Sequence, residues 1–255
     1  MEGKVVVHYV KQFGLAESIR MTLWFGKIPY ENNFLPRPAK EPEKWAEVKK
    51  TLGFEFGSMP MLEIDGMKLV ESNAILAYLA EKIGIVPASL KERYLANSAF
   101  ELLRDTMQGM IPFFYAPPEG KIAALEKWLP NLDAKLGYYE GRLKANETQD
   151  FLVGKSITIT DIMAMNIYFS FFTRLDGNAE HIAKVKEVLE KHPLYLEYVN
   201  KIKDNHFKEY FENVRFEPEV WFWIPIDQSE FLLRWWAAFK LSNMNNSSNP
   251  RTPLP

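Results

Sequence analysis

The sequence predicts two domains: a small α/β sheet domain over residues 1–84, then an all-α domain over residues 90–214. Three observations predict this. Strand signals crowd the first seventy residues, in one strand–helix–strand run and one Asp-Gly hairpin. Beyond Leu90 they nearly vanish, and apolar residues recur at helical spacing. Between the two stretches the pattern breaks around Pro87, within residues 85–89, which is the candidate linker.

The elements follow in order. Lys4-Val-Val-Val-His-Tyr9 is a β-branched run and reads as a buried strand. Ala16 to Phe25 stacks Ile19 and Leu23 at i, i+4 and ends at Gly26, the mark of a capped helix. Tyr30 to Phe34 is a second strand, and a strand–helix–strand unit implies parallel pairing through a right-handed crossover. Residues 36–42 hold three prolines and form a loop, after which residues 43–52 make a short polar helix. That helix carries Trp45 and Lys49 on one face. Met61 to Ile64 and Lys68 to Val70 are strands joined by Asp65-Gly66. Glu71-Ser72-Asn73 opens a helix with Ile75, Leu79 and Ile83 in phase and Gly84 as its cap. The sum is a βαβ-ββα layer, a thioredoxin-like arrangement.

In the second domain the spacing predicts helices near residues 90–115, 121–145, 160–173, 179–191 and 193–204. Thr158 and Asp161 form a capping box before the third of these, a structural device with no catalytic role. Residues 215–255 make an aromatic extension with an Asn/Ser/Pro-rich, disordered end. Pro218 and Pro225 forbid one continuous helix there, so only residues 227–241 are expected to be helical.

Composition removes whole classes of function. The chain has 255 residues, 47% hydrophobic and 25% charged, with net charge -2. No basic stripe points to nucleic acid, and no apolar run reaches the length of a membrane span. There is no cysteine, which excludes disulfides, thiolate metal sites and a protein thiol nucleophile, and no metal is expected. The N-terminal Met-Glu-Gly-Lys lacks leader features, so a cytoplasmic protein is expected, or a mitochondrial one if the chain is a subunit of an assembly.

The stretch that carries chemistry runs from Gly57-Ser-Met-Pro60 to Glu71-Ser72. Backbone before a turn proline cannot continue a ladder and is open to an extended peptide. The N–H groups at a helix start, with a serine hydroxyl beside them, suit a carboxylate. Together they describe a site for an acidic, peptide-like ligand. The plainer reading is a hairpin packed on a helix, so other parts must recur elsewhere in the chain.

They do. Met59-Pro60, the Asp-Gly hairpin and Glu71-Ser-Asn-Ala-Ile75 resemble the glutathione-binding core of the cytosolic glutathione transferases, over about residues 4–210. The resemblance implies a cis Pro60, with Met59 pairing its backbone to the cysteinyl part of glutathione. It implies that Glu71 and Ser72 hold the γ-glutamyl end. Tyr9 falls on the family's catalytic tyrosine, whose hydroxyl donates to the glutathione sulfur and favours the nucleophilic thiolate. Phe13-Gly-Leu-Ala16 is similar to the opening of the first helix in the mu class and places Leu15 in the glutathione site. Trp45 and Lys49 fall on residues that bind the glycine carboxylate in the mu and sigma classes. Asp105 matches an aspartate that reaches the partner subunit's glutathione, and Tyr115 matches a second-substrate residue. Two departures stand out: Val10 replaces a tryptophan and Phe13 an arginine, changes expected to loosen the site and weaken catalysis.

The resemblance thus implies a homodimeric, mu- or sigma-like transferase, conjugating glutathione to small electrophiles or isomerising lipid peroxides. Two other readings concern the aromatic extension. It could dock a transferase-like scaffold into a larger assembly through residues 216–241, or it could lie on a membrane surface, for which Arg234 and Lys240 give a thin basic face.

Overall fold

A computed structural model describes residues 3–218. Four strands, β1 (Val6–Tyr9), β2 (Glu31–Phe34), β3 (Met61–Ile64) and β4 (Met67–Val70), form one sheet in the order β2-β1-β3-β4. The β1–β2 pair is parallel and spans α1 (Gly14–Phe25), while β3 runs antiparallel to both β1 and β4. Asp65 and Gly66 both take positive φ, 52° and 74°, as the tight hairpin demands. A short helix α2 (Pro42–Leu52) precedes β3, and α3 (Ser72–Ile83) follows β4. The thioredoxin-like layer expected from the sequence is therefore present.

Side-chain alternation sorts the sheet into two faces. Val7, Leu62 and Ile64 are buried in one cluster with Ile19 and Leu23 of α1 and Ile75 and Leu79 of α3. Met61 and Val70 face the other way, against Trp45 of α2 and Leu35 and Phe54. Each fully buried Leu or Ile contributes on the order of 1.5–3 kcal/mol.

The helical domain comprises α4 (Leu90–Gly109), α5 (Ile111–Tyr115), α6 (Lys121–Ala145), α7 (Ile159–Ile167), α8 (Ala179–Leu189) and α9 (Pro193–Ile202). Its core is continuous with that of the sheet, because α1 and α3 both pack on α7. Three buried polar contacts cross this junction. Asn166 Nδ2 donates to the Gly14 carbonyl (3.2 Å) and to Ser18 Oγ (2.8 Å), and Ser18 Oγ donates to Met163 Sδ (3.3 Å).

Two expected helices differ from the observed ones. The run 90–115 breaks at Met110, because Pro112 in the first turn of α5 cannot donate to the Gln108 carbonyl. The run 160–173 ends its α-helical part at Ile167 and widens into a π turn over Tyr168–Phe172, closed by Thr173 N–H donating to Tyr168 O (3.1 Å). Similar π turns span Lys203–Phe207 and Tyr210–Val214. Of the aromatic extension, Arg215 and Phe216 pack on the protein's own body: Arg215 Nε lies 2.9 Å from Glu17 Oε1, and Phe216 meets the rings of Phe13 and Phe34 at 5.3 and 5.1 Å. The helix expected over 227–241, the remainder of the docking segment and the disordered end lie outside the described residues.

Candidate active site

Register builds the site. The antiparallel ladder pairs His8 with Met61 and Met61 with Val70. One step further along each strand stand Tyr9, Pro60 and Glu71, so three separate stretches of sequence meet at one end of the sheet. The Met59–Pro60 peptide is cis, as expected. Glu71 turns the chain with φ 64° and ψ 107°, a costly conformation for a non-glycine residue, and α3 begins at the next residue, Ser72. No side chain caps this helix from Glu71, so its first N–H groups and the positive end of its dipole are directed at whatever lies ahead of it.

What lies ahead is a cavity of about 440 Å³ between the two domains. Tyr9, Gly14, Leu15, Glu71, Ser72 and Asn73 line it from the sheet side, and Arg104, Met107, Gln108, Ile111, Phe114, Tyr115, Met163 and Phe171 from the helical side. One wall is thus polar, the other mostly apolar.

Tyr9 is the only tyrosine on the polar wall. The Leu15 backbone N–H donates to its phenolic oxygen at 3.4 Å, leaving the phenolic proton free to be donated into the cavity. Burial pushes its pKa above the ordinary tyrosine value, partly offset by the Leu15 N–H and by the Arg20 guanidinium. The hydroxyl therefore stays a donor at neutral pH. Gly14 makes the arrangement possible. Its φ is +46°, and a Cβ at this position would lie 2.6 Å from the Tyr9 hydroxyl oxygen.

The remaining expected site residues fall outside the lining of this cavity. Pro60 is buried and Met59 half-buried at the neighbouring turn. Trp45 is buried in the smaller core cluster, with Lys49 Nζ 5.8 Å above its ring. Asp105 is 62% exposed on α4, with its carboxylate 3.7 Å from Lys135 Nζ. The sequence reading missed the helical wall apart from Tyr115. Arg104, Met107 and Gln108 of α4 and Ile111 at the start of α5 recur at spacings of three and four, a signal the sequence does carry.

Phe13 directly precedes the first turn of α1. It is buried, and the guanidiniums of Arg215 and Arg174 lie 3.7 and 5.1 Å from its ring centre. A thioredoxin-like sheet with a cis-proline turn at its end, joined to a helical domain across a shared cavity, defines a two-domain transferase architecture.

The comparisons make this specific. A family model for the glutathione S-transferase N-terminal domain matches residues 5–81, and one for the C-terminal domain matches residues 103–205. The chain belongs to the glutathione S-transferase family. Rat glutathione S-transferase alpha-5 is 34% identical over 172 residues, covering 66% of this chain and 75% of that protein. Bovine glutathione S-transferase A1 is 33% identical over 173 residues, covering 66% and 74%. Among solved structures, the monomeric Na-GST-3 of the hookworm Necator americanus superposes with a TM-score of 0.70 at 23% identity, over 84% of this chain and 99% of that one. A nematode-specific glutathione transferase of C. elegans gives 0.68 at 26% identity, over 86% and 100%. These relatives in sequence are alpha-class, so the mu- or sigma-like subclass expected from residues 13–16, Trp45 and Lys49 is not supported.

Proposed function

We propose that this transferase binds glutathione at the end of the sheet, activates its thiol with Tyr9 and joins it to apolar electrophiles held by the helical wall. The observation that carries this reading is the Tyr9 hydroxyl: protonated, fixed by the Leu15 N–H, and facing the same cavity as the uncapped start of α3. A donor aimed at sulfur stabilises the thiolate over the thiol and so raises the nucleophile's concentration at neutral pH. The thiol proton leaves to solvent. The sulfur pair then forms the new S–C bond as the leaving group departs with its own pair, or, with an epoxide, as the ring oxygen takes the pair and is protonated. Met107, Ile111, Phe114, Met163 and Phe171 supply a desolvated wall for the second substrate, which suits apolar electrophiles and lipid peroxides. Glutathione carries two carboxylates and one ammonium, for which the α3 N-terminus with Ser72, Lys49 and Glu71 are the proposed partners. Met59, Trp45 and Leu15 complete the glutathione site, and Asp105 serves the site of a second subunit.

Retention on immobilised glutathione, together with turnover of a halodinitrobenzene, tests the reading. Ser72→Ala and Lys49→Ala are each expected to weaken glutathione binding about tenfold or more, since a hydrogen bond to a charged group contributes about 1.5–3 kcal/mol. Unchanged affinity in both variants would remove the assigned site.

A further inference from the structure

We propose that Arg215, near the end of the described chain, is a positioning residue for Tyr9. The inference rests on the transferase reading and goes beyond it, since Arg215 lies past residue 205, where the family match ends.

The connection is a directed series of hydrogen bonds. Arg215 Nη2 donates to Ser170 Oγ at 2.6 Å, and Ser170 Oγ donates onward to Asn166 Oδ1 at 2.5 Å. With its oxygen so engaged, the Asn166 amide has one orientation, and Nδ2 donates to the Gly14 carbonyl and to Ser18 Oγ. Ser18 Oγ then donates to Met163 Sδ. The guanidinium can only donate, each hydroxyl has a single proton to give and the Gly14 carbonyl can only accept, so the bonds of the series all run in one direction. The series ends on two groups that line the cavity, Gly14 and Met163. Gly14 is the residue against which the Tyr9 hydroxyl lies, and the next N–H along, from Leu15, is the one that holds it.

A second arm grips the same loop from its other side. Arg215 Nε pairs with Glu17 Oε1 at 2.9 Å, and its guanidinium lies 3.7 Å from the centre of the Phe13 ring. Glu17 is fully buried, so its carboxylate depends on its partners, Arg20, Arg215 and the Tyr210 hydroxyl. Residues 13 and 17 bracket Gly14 and Leu15. One side chain therefore fixes both flanks and the centre of the loop that aims the tyrosine. Phe216 adds to the clasp, its ring tilted by 53° against that of Phe13 and lying under the Arg20 guanidinium at 4.8 Å.

The test compares Arg215→Ala with wild type, in the full chain, by three readouts: kcat, the glutathione Kd, and the apparent pKa of the bound thiol followed by thiolate absorbance. A loosened tyrosine is expected to lower kcat about tenfold and raise the bound-thiol pKa by about half a unit to one unit, with Kd changed less than threefold. The same change in a Tyr9→Phe background should add little to either, because a residue that acts through Tyr9 has nothing left to act on. Ser170→Ala breaks the series at a neutral, small side chain and is expected to move the same readouts the same way; it decides the matter should Arg215→Ala fail to fold. An unmoved kcat and thiol pKa in the folded variant, or an effect that adds in full to Tyr9→Phe, overturns the assignment. A Tyr9→Phe variant with wild-type turnover overturns instead the thiol-activating role proposed for Tyr9, on which the inference rests.

Discussion

At the scale of residues, the site depends on a tyrosine and the glycine beneath it. Because burial raises the pKa of Tyr9 above the tyrosine value, the phenol stays protonated across the range in which a free thiol ionises, near about 8.5. An inflection of the rate profile near neutral pH is therefore not the phenol's, and it is expected to be that of the bound glutathione thiol. Rate should fall as pH drops through the bound-thiol pKa, and in Tyr9→Phe that inflection should move upward while kcat falls by one to three decades, as loss of one donor to a developing anion does. A profile unmoved in this variant would take the role from Tyr9. Gly14→Ala gives a complementary outcome. Its Cβ meets the Tyr9 hydroxyl at 2.6 Å and its φ is strained for alanine, so the ring must shift, with an expected loss in kcat of about ten- to a hundredfold. Circular dichroism and a glutathione titration separate this from unfolding. Tyr9 could be marked from the sequence because it ends the first strand and falls, by the resemblance, on the family's catalytic tyrosine. The need for Gly14 could not, since neither its φ nor its contact with Tyr9 exists until the loop is closed.

Elements were legible where caps announce them and obscure where the helix changes pitch. Gly84 ends α3 with φ 73°, and Thr158 with Asp161 opens α7 as a capping box. Asp161 is also more than a cap. It accepts from Leu152 N–H, Thr158 N–H, Thr158 Oγ1 and Tyr198 Oη, all between 2.7 and 2.9 Å, and is fully buried. Asp161→Ala leaves two backbone donors orphaned in the core of the helical domain. We expect a loss of about 3 kcal/mol, and hence roughly 6–12 °C in Tm by calorimetry, with the glutathione Kd of the folded fraction unchanged. A loss below about 1 kcal/mol would show that the box is dispensable. The π turns after Ile167 and Ile202 carried no comparable sign, because a widened turn keeps the same apolar residues inward as an α turn does.

For the whole molecule, the order of domains could be read from the disappearance of strand signals after Leu90, but the closure of the chain on itself could not. Glu17 and Arg215 stand 198 residues apart, and no local pattern in either stretch marks the pair. Association is the property to measure at this scale. Asp105, 62% exposed on α4, can take the catalytic role proposed for it only beside a second subunit. Sedimentation velocity at micromolar concentration is expected to give a two-fold dimer. A fully active monomer, the state named for the hookworm structure, would contradict the role of Asp105.

The same long separation governs how the protein is made. Translation runs at about 5–20 residues per second, so roughly 10–40 s pass between the synthesis of Glu17 and that of Arg215. Throughout that time the first helix carries a carboxylate destined for the interior while one of its two arginines has yet to be polymerised. Its amino-terminal half therefore waits, partly hydrated, on the ribosome. A message truncated just past residue 205 would yield both family domains and still leave that charge short of a counter-ion, producing a polypeptide fit for degradation rather than for turnover.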